Sequence, residues 1–213
     1  MLTSILVLLV ILTSSVHIWA EYRGPRLHVY IFKPLTMVFI LLIAISGQAT
    51  LPLYRYMIIA GLVSSMAGDI FLMLPSDRFV AGLVAFLIAH LFYIVAFISE
   101  ARTLIWWSII PFIAYGIVIY MILTPYLGKL KPPVCIYIAV ILTMAWLAWE
   151  WWSHSNQSGA LMACAGAILF IISDTILAID RFRVAFKPAR ALNLTTYFAA
   201  QCLIASSVAI LAL

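Results

Sequence analysis

The sequence predicts an all-α, polytopic membrane protein with eight transmembrane helices in a single integral membrane domain, residues 1–213. Three observations predict it. Hydrophobic residues make up 67% of the chain and charged residues 9%, whereas soluble domains are nearer half apolar and about a quarter charged. The mean hydropathy is +1.19. Eight apolar runs approach the roughly 20 residues that cross a bilayer as a helix, and the loops between them are short.

The first run, 2–20, lacks a basic leader and a small-x-small cleavage site, so it reads as a helix and not as a signal peptide. The second, 34–48, is the briefest and ends near "SGQATLP". The third, 56–74, carries Asp69 within "SMAGDIFLMLPSDRF", and Ser65 precedes it by one helical turn. Gly61 and Gly68 would let a neighbouring helix approach closely. The fourth, 79–98, places His90 and Tyr93 at i, i+3, and the fifth is 103–124. The sixth, 132–152, holds Tyr137 near its start and "WLAWEWW" near its end, read as an aromatic belt around a solvated Glu150. Asp174 interrupts the seventh, 159–180, in "FIISDTILAIDRF". The eighth, 192–212, bears Asn193, Tyr197 and Gln201 at i, i+4, i+8, a single polar stripe.

The net charge of +5 sets orientation. Ten of the twelve Lys/Arg residues (Arg23, Arg26, Lys33, Arg78, Lys129, Lys131, Arg181, Arg183, Lys187 and Arg190) fall in loops one, three, five and seven; Arg55 and Arg102 alone lie opposite. The positive-inside rule puts those four loops in the cytoplasm and both termini outside, as in a bacterial inner membrane. The charge implies no nucleic-acid partner.

"GDIFLMLPSDRF" aligns with "SDTILAIDRF" if two residues are inserted before "DRF", and "KPLTM" resembles "KPPVC". Both matches pair the first four helices with the last four, which suggests a tandem four-plus-four repeat. Spans three and seven both run toward the cytoplasm. Asp69 lies five residues before Leu74 and Asp174 six before Asp180, so each backbone sits about 7–9 Å below that end at about 1.5 Å per residue. Tyr137 and Tyr197 enter the same layer from the helices that start there. Lys33 marks the entrance of span two, at headgroup level.

Two carboxyls in a poorly solvated site cannot both ionise cheaply, which leaves a proton donor beside a water-activating base. Ionisable residues at membrane depth are functional by default. His90, Tyr93, Tyr137, Tyr197, Gln201, Asn193 and Lys33 are candidates to bind a substrate, though each polar group could instead join helices. The histidines, His17, His28, His90 and His154, are dispersed over helices and depths, so a zinc site is not expected. Cys135, Cys164 and Cys202 lie in separate spans as small apolar residues. No G-x-S-x-G elbow or Gly-rich phosphate loop is present.

The stretches "YRGP" (22–25), "FKPLTM" (32–37), "GDIFLMLP" (68–75), "FLIAHLFY" (86–93), "GAILFIISDTILAIDRF" (166–182) and "TYFAAQCLI" (196–204) resemble the YhhN-like integral membrane proteins, which include the lysoplasmalogenases. The resemblance implies hydrolysis of the alkenyl ether bond of a lysoplasmalogen to a fatty aldehyde and a glycerophospho-base. Asp69 and Asp174 correspond to the family's acidic positions. Two carboxyls supply the acid, the base and the charge stabilisation this reaction needs, so no metal or cofactor is expected. The lysophospholipid would come sideways from the cytoplasmic leaflet, leaving headgroup choice and oligomeric state open. A proton-coupled transporter using the same aspartates, or a lipid-binding scaffold without turnover, are the alternatives.

Overall fold

A computed structural model describes residues 2–47, 52–155 and 157–210. The described residues form eight α-helices: α1 (Leu2–Arg23), α2 (Arg26–Ser46), α3 (Pro52–Met73), α4 (Phe79–Glu100), α5 (Ile110–Leu123), α6 (Lys131–His154), α7 (Ser158–Ala178) and α8 (Ala189–Ile210). Seven of the helical segments are long and apolar enough to cross a membrane, counting α5 with its flanking 3₁₀ turns. The eighth, α8, carries the polar stripe and packs against α1, α2, α3 and α7. End residues of the last expected span, 211–212, lie outside the described residues.

Proline and glycine set several boundaries. Gly24 ends α1 where a Cβ would come within 2.7 Å of the Ala20 Cα, and extended Pro25 caps α2. α2 therefore begins at Arg26, eight residues before the expected 34, and runs through Pro34. Pro52 opens α3, and prolines occupy the first turns of α5 and α6, where a missing N–H removes no intrahelical bond.

α5 is shorter than the expected 103–124. The chain is extended through Ile105, turns in a 3₁₀ segment (Trp106–Ile109), and becomes α-helical at Ile110. Glu150 explains this, and its expected solvation is corrected: it is 1% exposed. Its carboxylate accepts the Ile105 N–H at 2.6 Å and the Ser108 hydroxyl. Trp146 Nε1 donates to the same Ser108 oxygen at 2.7 Å. A carboxylate from α6 thus holds the amino end of α5, while α5 itself buries only Gly116 and Leu123.

The halves correspond. α2 packs on α8 as α6 packs on α4, and α3–α4 mirrors α7–α8. A Cβ on Gly61 would strike the Tyr93 ring of α4; one on Gly166, the same eight residues before its aspartate, would strike Ile204 and the Ala200 carbonyl of α8. Gly68 meets Gly82 where Ser173 meets Asn193. The "KP" match does not share this register: Lys33–Pro34 lies two turns inside α2, whereas Lys131–Pro132 begins α6. The early start of α2 after Pro25 is the reason.

Candidate active site

Both aspartates lie in the last turns of their helices at the basic end of the bundle, Asp69 four residues before Met73 and Asp174 four before Ala178. Asp69 is 2% exposed. Its Oδ1 lies 3.0 Å from the Lys33 ammonium and its Oδ2 accepts the Tyr197 hydroxyl at 2.6 Å. This corrects the expectation for Lys33. Hydropathy puts it at headgroup level above the acid layer, but the early start of α2 carries it about 10 Å deeper along the helix, into contact with Asp69.

Asp174 has a different environment. Its Oδ2 accepts the Tyr137 hydroxyl at 2.5 Å, and among the described residues no lysine or arginine bonds to it. Nor does a hydrogen bond or ion pair join the two carboxyls among those residues. Each acid has its own tyrosine, from α8 for Asp69 and from α6 for Asp174. Between them stand aromatic rings: Phe86, Phe170 and Tyr197 pack edge to face with centroids 5.6–6.3 Å apart. Sequence reading missed Phe86 and Phe170, since a phenylalanine in an apolar helix gives no local signal.

The other candidates divide into two groups. Tyr93 donates to Gln201 Oε1 at 2.7 Å, on the side of Asp69 facing the bundle interior. His90 is fully buried against Tyr137 and Phe170, with ring centroids 5.3 and 4.7 Å away, and neither ring nitrogen has a partner among the described residues. Asn193 instead ties α8 to α7, donating to the Ser173 carbonyl and hydroxyl at 2.9 Å each. It braces the residue preceding Asp174.

Two cavities meet at this layer. A polar one of about 920 Å³ opens at the basic end and is lined by Arg26, Lys33, Arg78, Arg181, Arg190 and Asn193, with Glu21, Asp77 and Asp180 among them. A narrow apolar slot of about 70 Å³ reaches Asp174 and Tyr137 from between α5, α6 and α7. Leu72, Phe79 and Leu177 line both. The rim of the polar cavity is laced across the bundle: Arg181 bonds Asp77 at 2.5 Å, and Arg190 bonds Glu21 at 3.1 Å. The Arg181 guanidinium holds the exposed Asp77 carboxyl below its ordinary range. That clasp is therefore complete at neutral pH and loosens only as pH falls through the lowered value. Such a site can hold an anionic headgroup in the polar cavity and a chain in the slot, with Asp174 in the slot wall and Asp69 paired to Lys33 of the polar cavity.

The profile of the YhhN family matches residues 28–208. "Uncharacterized membrane protein YhhN" of Escherichia coli O157:H7 is 33% identical over 202 residues, covering 93% of this chain and 95% of that protein. "Lysoplasmalogenase TMEM86A" of Homo sapiens is 35% identical over 162 residues, 70% of this chain and 64% of that protein. "Lysoplasmalogenase TMEM86B" of Homo sapiens is 34% identical over 165 residues, 72% of this chain and 64% of that protein. No solved structure matches. With its family profile covering most of the chain and both acids in the segments that suggested the resemblance, this integral membrane protein belongs to the YhhN family.

Proposed function

We propose that the protein is a lysoplasmalogenase-type hydrolase that cleaves the vinyl ether bond of a single-chain alkenyl glycerophospholipid. One observation carries the reading: the Asp174 carboxyl lines an apolar slot that shares Leu72, Phe79 and Leu177 with a basic polar cavity, and Lys33 of that cavity pairs with a second carboxyl, Asp69. A lysolipid has this form, with its vinyl ether just beneath the headgroup. The relatives named as lysoplasmalogenases support the reaction class.

Asp174 gives a proton to the vinyl carbon remote from the ether oxygen. Its apolar surroundings, with no lysine or arginine bonded to it among the described residues, suit a carboxylic acid. The carbon bonded to oxygen becomes an oxocarbenium centre. Asp69, fixed as a carboxylate by the Lys33 ammonium, stabilises that charge and takes a proton from the attacking water. The resulting hemiacetal breaks its carbon–oxygen bond to the glycerol, which leaves as the free hydroxyl, and the chain leaves as an aldehyde. Asp69 passes the water's proton to the departing glycerol oxygen, and the hemiacetal hydroxyl's proton reaches Asp174 through solvent, so both carboxyls return to their starting states. The two carboxyls divide the work of acid and base, as a pair of separate carboxyls does in inverting glycosidases.

In this reading Arg26 faces the phosphate, Lys33, Tyr197 and Gln201 hold the Asp69 side, and His90 and Tyr137 border the acid. The substrate comes from the cytoplasmic leaflet, the side assigned to the basic loops. The test is aldehyde release from an alkenyl lysophospholipid by pure protein in detergent. Stoichiometric aldehyde and glycerophospho-base support the reading. Uptake or binding of the lipid without either product would refute it in favour of a carrier or scaffold.

A further inference from the structure

The narrow slot at Asp174 does not end between the helices. Toward the opposite face of the bundle it adjoins a wider apolar cavity of about 550 Å³, and Tyr115, Leu142 and Ile171 line both. The wider cavity continues to Ser108 and Trp149. From Tyr137 to Trp149 along α6 is twelve residues, about 18 Å of helix, more than half of a hydrocarbon core about 30 Å thick. The result is a channel with one polar end, at Asp174 and Tyr137, and apolar walls thereafter.

One wall is held at few points. α5 is anchored at its amino end through Ile105 and Ser108 to Glu150, yet most of its residues face outward. Its side-chain hydrogen bond to α7 is Tyr115 with Thr175, 2.7 Å, beside the slot and one residue from Asp174.

The geometry points to this channel as the binding site of the lipid's hydrocarbon chain, reached from the bilayer between α5 and α7. The occupant is one aliphatic chain. The slot offers only about 70 Å³, and its polar end joins the basic cavity through Leu72, Phe79 and Leu177. Chain length is then read at the far end, where Phe112 and Ile168 stand, remote from the reacting bond. This site assignment rests on the proposed reaction only for its catalytic readout.

Two measurements on the full chain in nanodiscs test it. A non-cleavable alkyl lysophosphocholine bearing a diazirine at its terminal methyl should label peptides of α5 (Ile110–Leu123) and α7 (Ser158–Ala178), and excess unlabelled single-chain lipid should suppress the label. Labelling spread around all outward faces and unchanged by competitor would mean only surrounding bilayer lipid and would overturn the site. In the second, Ile168→Trp should lower kcat/KM for a long-chain alkenyl lysolipid by about tenfold or more, the scale on which an apolar pocket discriminates chain atoms, while a short-chain analogue keeps the parental value. Equal losses on both chains, or none on either, would overturn it. Phe112→Trp gives the same test if Ile168→Trp folds poorly. Competed labelling in a protein that releases no aldehyde would retain the chain site and reject the hydrolase.

Discussion

Asp69 and Asp174 share a chemical identity but not a neighbourhood, and their variants should show it. Asp174→Asn and Asp69→Asn should each lower kcat by about 10²–10⁴-fold, the usual worth of a general acid or base, with the double variant little worse than either single, because residues acting as a unit fail together. Aldehyde release by the three proteins, each checked for a monodisperse fold, decides this; near-normal turnover by Asp174→Asn would make that acid structural. The parent's pH–rate profile should be bell-shaped and report the pair. Lys33 belongs to the same unit. Removing one partner of a buried ion pair costs about 3–5 kcal/mol, so Lys33→Ala should lower both kcat and the melting temperature, and Lys33→Met with Asp69→Asn should recover much of the stability. A rise in KM alone would return Lys33 to a headgroup role. The aspartates' depth was legible by counting residues from the helix ends. The Lys33 contact was not, because hydropathy registers where apolar residues begin, whereas α2 starts eight residues earlier at a Gly-Pro break with arginine, histidine and tyrosine in its first turns.

At the scale of an element, α5 is the least anchored helix and Glu150 its main tether. Glu150→Ala would leave the Ile105 N–H and the Ser108 hydroxyl without their acceptor, at about 1–3 kcal/mol for each unpaired buried group. A lower melting temperature in detergent, with faster hydrogen exchange confined to residues 101–123, is the expected result; uniform destabilisation would argue against a local tether. Trp-rich sequence around an acid looks like an interfacial belt, and only the folded-back 101–109 segment shows what that acid holds. α7 and α8 are joined more closely. Gly166→Ala should destabilise by about 1–3 kcal/mol, since its Cβ would lie 2.9 Å from the Ala200 carbonyl oxygen, a backbone atom that cannot rotate away. Thermal unfolding measures it, and an unchanged melting temperature would mean the helices can part without loss.

For the whole molecule, the charge pattern predicts that both termini lie outside the cytoplasm and that 184–188, between α7 and α8, lies inside. Single-cysteine labelling in intact cells, on a background with Cys135, Cys164 and Cys202 replaced, checks it; a labelled 184–188 segment in sealed cells would invert the topology. Eight helices were legible because length and hydropathy are local properties. Which helices touch was not, since side chains on lipid-facing and buried faces are equally apolar here. The small-residue contacts at Gly61 and Gly166 supply that information, but nothing in the sequence pairs them with Tyr93 and Ile204, which lie on other helices.

The correspondence of Gly61 with Gly166 has a consequence for how such a site could arise. If two copies of a four-helix unit once faced each other, their aspartates began as equals, and equal acids make a poor donor–acceptor couple. One copy now offers its acid an ammonium from α2, and the other offers its acid a phenol from α6. Division of labour between donor and acceptor thus required no new carboxyl. It required only that the two copies drift apart in the residue standing opposite.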